Sequence, residues 1–180
     1  MCVTTGNGEV YHVGAADVIS DTQNVRLALV VHGQPRPARR PLFRLRGAVM
    51  TVFSPSVRVR NLLSEAIRGA LTGGDNETYF RRDVPLKINL VFFMPRPYSH
   101  FVGRTRRVQY LKAEFANTLA HVKRPDLDNM IKFVMDSLHG IAYSDDCQVF
   151  KLTATKVFDN EGGCTGRIGI QVKPTVIVLT

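Results

Sequence analysis

The sequence predicts an α/β fold of the α+β type, a single small domain with a mixed β-sheet and two principal helices. Short apolar runs at residues 25–31, 85–94 and 167–172 have the length and alternation of strands. Two longer segments, 54–70 and 128–139, repeat apolar residues at helical spacing. The chain has 180 residues, of which 44% are hydrophobic, enough for one domain with a buried core.

The N-terminal part of the chain contains one strand and a basic loop. Residues 1–24 are weakly patterned and predict an N-terminal extension or an irregular arm. Residues 25–31 predict a buried strand. Residues 33–41 are interrupted by three prolines, so they predict a stiff basic loop rather than a helix or a central strand. We expect the main domain to span residues 25–173, followed by a C-terminal tail at 174–180.

A strand pair and a helix follow the basic loop. Residues 43–53 predict strand-like pieces that break near Gly47. Ser54 is the candidate N-cap of the first helix, with Pro55 in its first turn. The apolar residues that follow at helical spacing are Val59, Leu62, Leu63, Ala66, Ile67 and Ala70.

Residues 98–120 predict a partly helical insertion. They combine basic with aromatic residues, which could clamp a nucleic-acid backbone and stack on its bases. Because aromatic side chains are usually buried, we favour packing of these aromatics on the core. The basic residues are Arg104, Arg106, Arg107 and Lys112, and the aromatic residues are Tyr98, Phe101, Tyr110 and Phe115.

The segment 128–139 is the clearest helix. Its apolar residues share one face, whereas Asp128 and Lys132 share the opposite face, which must point to solvent or into a cleft. Gly140 is expected to end the helix. Residues 144–146 predict a turn that leads into the next strand.

The net charge of +9 is unevenly distributed. Residues 31–124 hold 18 Lys and Arg against 5 Asp and Glu, and the segments on either side are net negative. An arginine-rich block suits a polyanionic partner, because the guanidinium group binds phosphate with two parallel hydrogen bonds. A basic surface that serves only solubility is the alternative.

Cysteine usage and hydropathy bear on the compartment. Cys2, Cys147 and Cys164 lack metal-ligand spacing and fit a reducing environment. The apolar runs are too short to span a membrane, and the N-terminus lacks the pattern of a signal peptide. We expect a cytoplasmic or nucleoid-associated protein, or a nuclear or organellar one in a eukaryote, with no membrane partner.

The most informative stretch is residues 123–129, Lys-Arg-Pro-Asp-Leu-Asp-Asn. Asp126 and Asp128 are two residues apart at the predicted start of a helix, and Lys132 lies about one turn later. Phosphodiester hydrolysis needs an activated water and stabilisation of developing negative charge, which Mg²⁺ bound by carboxylates supplies. The pattern therefore indicates a metal site next to a phosphate, with Lys132 stabilising the transition state.

These acids also have structural alternatives. Asp126 could be an ordinary N-cap, and Asp128 with Lys132 an ordinary i,i+4 ion pair. Asp145 and Asp146 precede a strand, in which neighbouring side chains point in opposite directions. We therefore expect one of these two to join the metal site and the other to cap the turn.

The full string from residue 123 to residue 149, KRPDLDNMIKFVMDSLHGIAYSDDCQV, closely resembles the core motif of the RusA family of Holliday junction resolvases. Residues 31–40, VHGQPRPARR, resemble the strand and basic Gly/Pro loop of that family. The resemblance implies a RusA-like fold. It also implies a homodimeric endonuclease of DNA recombination and repair that uses Mg²⁺ or Mn²⁺ to nick four-way DNA junctions symmetrically.

Carried over by position, the resemblance implies roles for individual residues. Asp126, Asp128 and Asp146 would be catalytic metal ligands. Lys132 would be the fourth catalytic residue, near the scissile phosphate. The supporting residues are Asn129 and Asp145, and the residues that would contact the DNA backbone are Arg36, Arg39, Arg40, Lys123 and Arg124.

Three functions fit these features. The favoured one is a Mg²⁺-dependent, structure-selective endonuclease that acts on branched DNA. The second is a branched-DNA-binding protein that does not cleave, and the third is a basic structural or interaction protein whose acids are caps and ion pairs. Divalent-metal binding that disappears in an Asp126/Asp128 double substitution would favour the first.

Overall fold

A computed structural model describes residues 2–4, 10–21, 24–71, 78–102, 110–160 and 166–175. None of the helices in these ranges has the length and apolarity that crossing a bilayer requires. The helices are α1 (Val57–Ala70), α2 (Ala113–Ala116) and α3 (Leu127–Leu138). The strands are β1 (Cys2–Thr4), β2 (Val10–Asp21), β3 (Asn24–His32), β4 (Leu42–Arg46), β5 (Val49–Phe53), β6 (Leu86–Met94), β7 (Phe101–Val102), β8 (Tyr110–Leu111), β9 (Val149–Phe158) and β10 (Arg167–Pro174).

A six-stranded mixed sheet in the order β1-β2-β3-β10-β6-β9 organises the domain. β6 and β9 run parallel, and the other neighbours in this sheet are antiparallel. Alternate residues of β6, from Leu86 to Met94, are buried, as the period of two predicts. They pack with the buried faces of α1 and α3 in one core, which confirms the predicted α+β fold with two principal helices.

The N-terminal segment contributes strands to this sheet. β1 and β2 form one edge of it, and β2 pairs with β3. The alternative of an irregular arm at residues 1–24 is therefore wrong for the described part of that segment. The proposed domain boundaries at residues 24 and 173 stay predictions.

Helix α1 begins later than the sequence predicted. Ser56, not Ser54, occupies the N-cap position, and the Ser54 carbonyl accepts a hydrogen bond from the Val57 amide at 3.2 Å, as in a turn. The Ser56 hydroxyl makes no capping bond and instead accepts one from the Arg39 amide at 2.7 Å. The start of α1 is thereby attached to the basic loop.

The predicted insertion at residues 98–120 is only partly described, and Arg104, Arg106 and Arg107 lie outside the described residues. Packing of its aromatics on the core was the favoured prediction. It is wrong for Tyr98 and Tyr110, which are 59% and 70% exposed. Phe115 is half-buried because its ring stacks on His100, with the ring centroids 3.9 Å apart.

Gly166 lies in close contact with the backbone of Phe93 and the ring of Pro35, which leaves no room for a side chain. At its φ of +72°, a Cβ atom would lie 2.7 Å from the Phe93 carbonyl oxygen and 2.9 Å from Pro35 Cδ. We expect Gly166→Ala to lower the free energy of unfolding by about 2–4 kcal/mol, from backbone strain and overpacking together. Gly140 has the same φ with nothing within 4 Å, so Gly140→Ala should cost only about 1–2 kcal/mol. Equal losses in urea denaturation of the two variants would contradict the close approach.

Candidate active site

Helix α3 begins with the two acids of the motif. Asp126 occupies the N-cap position in an extended conformation, and its carboxylate makes no capping hydrogen bond. Asp128 lies in the first turn, where the partial positive charge of the helix N-terminus favours an anion. Both side chains are exposed, and the side-chain Nδ2 of Asn129 donates to Asp128 Oδ1 at 3.5 Å. The two carboxylates are thus accessible at the start of one helix.

Lys132 lies one turn after Asp128 on the exposed side of α3. The ion pairs of the described residues do not include Asp128 with Lys132. Asp136, one turn further, is instead 3.9 Å from Arg60 of α1. The i,i+4 ion-pair alternative is therefore not realised.

The buried side of α3 consists of Met130, Phe133, Val134, Ser137 and Leu138.

A cleft of about 200 Å³ lies between the basic loop, the start of α1 and the exposed side of α3. Arg39 and Arg40 line it from the loop, and Lys132 lines it from α3. The Ala38 amide donates to the Asn129 carbonyl at 2.8 Å, so the backbone of the loop is attached to the first turn of α3. This attachment places the two arginines and the lysine in one cleft beside the first turn of α3, which carries Asp128.

The other three predicted DNA contacts do not line this cleft. Arg36 is half-buried and is not among the cleft-lining residues. Lys123 and Arg124 are exposed and are separated from Asp126 by Pro125, with a cis peptide bond between Arg124 and Pro125. The structure thus brings two of the five predicted contacts into the cleft.

Asp145 caps the turn before β9, as one of the two neighbouring acids was predicted to do. Its carboxylate accepts a hydrogen bond from the Cys147 amide at 2.9 Å, which holds the pKa of Asp145 below its ordinary value. The Gln148 side chain completes a reciprocal capping box by accepting from the Asp145 amide at 3.2 Å. Asp146 remains exposed.

Asp146 lies near the hydroxyl of the buried Tyr143. Burial, and then the Asp146 carboxylate, raise the pKa of Tyr143 well above its ordinary value. The Tyr143 hydroxyl donates to the Met135 carbonyl at 3.0 Å, which places it beside the third turn of α3. Met135 is seven positions after Asp128 along the helix, a rise of roughly 10 Å. The Tyr143 hydroxyl, and Asp146 with it, therefore lies beside the last turn of α3 rather than at its start.

The family model for endodeoxyribonuclease RusA matches residues 32–173, which include the cleft and all the motif acids. The chain belongs to the RusA endodeoxyribonuclease family. The uncharacterized protein YqaN of Bacillus subtilis (strain 168) is 32% identical over 77 residues, which make up 43% of this chain and 51% of that protein. The chain thus spans about half the length of this curated relative.

The three acids of the RusA motif do not form a three-ligand metal site in this structure. Among the described residues, no group of three or more His, Cys, Asp and Glu side chains could hold a metal ion. Exposed carboxylates at the start of α3 still suit Mg²⁺, which commonly takes one or two protein carboxylates and completes its shell with water and phosphate. The assignment of Asp126, Asp128 and Asp146 as metal ligands stays a prediction.

Sequence reasoning did not assign Arg60 and Ser56, two of the residues that line the cleft, to the site. Arg60 lines the cleft and pairs with Asp136, and Ser56 lines it and holds the basic loop. Both lie at the start of α1, and their roles depend on how α1 packs beside α3 and the loop. No local sequence signal distinguishes them from ordinary polar residues of a helix start.

Proposed function

We propose that this RusA-family protein is a metal-dependent, structure-selective endonuclease that resolves four-way DNA junctions by paired nicks in recombination and repair. The observation that carries the proposal is the cleft lined by Arg39, Arg40 and Lys132. It lies directly beside the start of α3, which carries Asp126 and Asp128. Cations next to carboxylates suit a phosphodiester held beside a divalent ion.

Hydrolysis requires a water oxygen to attack phosphorus, the bond to the leaving oxygen to break, and that oxygen to take a proton. A divalent ion held by Asp126 and Asp128, the two carboxylates at the start of α3, would supply an activated water and offset phosphoryl charge. Lys132 would stabilise the negative charge that grows on the phosphate and leaving oxygens. The loop arginines would hold flanking phosphates with bidentate hydrogen bonds.

A second candidate function is binding of branched DNA without cleavage. The observation that favours it is the separation of the motif acids, which do not form a three-ligand group among the described residues. The basic cleft would serve such a protein equally well, because phosphate contacts supply most DNA affinity.

Cleavage of a strand-labelled synthetic four-way junction beside a linear duplex of the same sequence tests the proposal. We expect nicks on the junction only, and only with Mg²⁺ or Mn²⁺. Tight junction binding without nicks under any divalent ion would support the second candidate. Equal cleavage of the duplex would contradict structure selectivity.

We also propose that the protein acts as a homodimer through the β4–β5 hairpin. Cross-strand partners share a face of a hairpin, so Phe43 and Leu45 lie with Val52 and Met50 on one apolar face. These four side chains are between 58% and 71% exposed. A two-stranded hairpin is marginal in water without a covering layer.

A second copy of the chain fits this apolar face. The face carries no charge, so the same patch on two subunits can meet across a two-fold axis. The opposite face mixes the exposed apolar residues Leu42, Val49 and Phe53 with Arg44 and Arg46. These two arginines would repel their own copies across a two-fold axis. The hairpin directly follows the cleft-lining loop, so a dimer formed here would bring two clefts near one junction.

Replacing Phe43 and Leu45 together with serine should therefore weaken dimerisation by about 100-fold or more, because each large side chain contributes about 1.5–3 kcal/mol when buried. Sedimentation velocity over a concentration series measures this effect. Arg44→Ser, on the opposite face, is the matched control and should leave the dimer intact. A wild-type protein that stays monomeric throughout the series would refute the dimer.

A further inference from the structure

Lys156 of β9 reaches from the edge of the sheet to the segment that precedes the motif acids. Its Nζ atom lies 2.7 Å from the Lys123 carbonyl oxygen and 2.7 Å from the Pro125 carbonyl oxygen. Its own carbonyl accepts a hydrogen bond from the His121 amide at 3.1 Å. One lysine thus attaches this segment to the sheet at three points.

Backbone hydrogen bonds from the end of β9 attach only residues 119–121 of the stretch that leads to the motif acids. β9 is one of the two edge strands of the six-stranded sheet, and its end pairs with residues 119–121. The Phe158 amide donates to the Leu119 carbonyl at 2.8 Å, and Ala120 forms a bridge with Val157. The side chain of Lys156 extends the attachment to Pro125, the residue directly before the α3 N-cap.

The Lys156 ammonium donates hydrogen bonds to backbone carbonyls and is not directed outward to bind a phosphate. An ammonium has three donors, and two of them are used here. Hydrogen bonds with an ionised donor are roughly twice as strong as neutral ones. Lys156 therefore differs from Arg39, Arg40 and Lys132, whose side chains line the open cleft.

The bond to Pro125 bears directly on Asp126. The Pro125 carbonyl and the Asp126 amide belong to one planar peptide unit, so a bond to the carbonyl orients the backbone from which Asp126 starts. The Asp126 carboxylate has no capping bond to orient it from within α3. Its direction thus depends on how the preceding peptide is held.

We propose that Lys156 is a positioning residue of the active site, which holds residues 123–125 and thereby sets the direction of the Asp126 carboxylate. This inference rests on the proposed function, since it takes Asp126 as a catalytic residue. Lys156 itself contacts neither the DNA nor the metal. Displacing a catalytic group by about 1 Å can cost about 100-fold in rate. We therefore expect Lys156→Met to lower kcat by about 100-fold with little change in KM for the junction.

Single-turnover cleavage of a four-way junction by matched variants tests this role. Lys151→Met removes the same charge from an exposed position of the same strand and should cleave as the wild type does. Lys156→Arg keeps a cationic donor and should recover most of the lost rate. A Lys156→Arg variant that is folded but as slow as Lys156→Met would overturn the proposal.

The salt dependence of binding separates positioning from DNA contact. A lysine that binds a phosphate contributes roughly 0.9 to the slope of log K against log salt concentration. We expect that slope to be the same for wild type and Lys156→Met. A shallower slope with a raised KM would identify Lys156 as a phosphate contact and overturn the proposal.

Hydrogen exchange provides a readout that does not depend on cleavage. We expect faster amide exchange across residues 121–127 in Lys156→Met, with exchange in the rest of the protein unchanged. Unchanged exchange in residues 121–127 would show that Lys156 does not hold this segment and would overturn the proposal. A wild type that cleaves nothing would refute the proposed function. An active wild type with an equally active Lys156→Met would refute the positioning role alone.

Discussion

Asp128→Asn is expected to abolish junction cleavage and to leave junction binding intact. The substitution keeps the size of the side chain but removes a charge that would hold the divalent ion. We therefore expect the cleavage rate to fall by about 1,000-fold, which is the loss typical of removing a group that stabilises the transition state. Binding should be unchanged or slightly tighter, because a negative charge beside the phosphate is removed. Parallel gel-shift and single-turnover cleavage assays measure both effects.

Asp83→Asn is the matched control for this substitution. Asp83 is exposed and pairs at 3.8 Å with Arg81, another exposed residue, and it does not line the cleft. Cleavage by Asp83→Asn should equal that of the wild type. If Asp128→Asn also cleaved at a near wild-type rate, Asp128 would not belong to the active site.

Replacing Arg39 and Arg40 together with alanine should weaken junction binding by roughly 100-fold, because the two charge-assisted phosphate contacts proposed for these residues would be lost. The slope of log K against log salt concentration should become shallower by roughly 1.8, which corresponds to two phosphates. The loop itself should stay in place, because its attachments use the backbone amides of Ala38 and Arg39. Fluorescence anisotropy at several salt concentrations measures both quantities.

Arg68 and Arg82 provide the comparison for this double variant. Both are exposed arginines outside the cleft lining, so Arg68→Ala with Arg82→Ala removes the same charge elsewhere. This control should change affinity only slightly. If the slope of log K against log salt concentration were unchanged in the Arg39/Arg40 variant, the basic loop would not be part of the DNA interface.

Elements whose pattern is local were predictable from the sequence. The alternation of β6, the amphipathic face of α3 and the break at Gly47 all follow from short-range rules, and each is found in the structure. The start of α1 was misplaced because Ser54 and Ser56 are both good N-cap residues. The choice between them depends on the basic loop, whose Arg39 amide binds the Ser56 hydroxyl.

The candidate site could be predicted in part. The motif predicted Asp126, Asp128 and Lys132 as site residues, because their spacing along one helix is visible in the sequence. The cleft around them depends on long-range contacts, such as Ala38 with Asn129 and Arg60 with Asp136, which no local pattern encodes. The position of Asp146 likewise depends on how Tyr143 packs against α3.

Cleavage of a supercoiled plasmid that extrudes a cruciform tests the central claim most directly. Two nicks placed symmetrically across one junction linearise the plasmid, whereas a single nick releases the supercoiling, removes the cruciform and leaves an open circle. The proposed function predicts Mg²⁺-dependent linear product from wild type and none from Asp128→Asn. Open circles alone, or linear product from Asp128→Asn at the wild-type rate, would contradict a paired-nick endonuclease at this site.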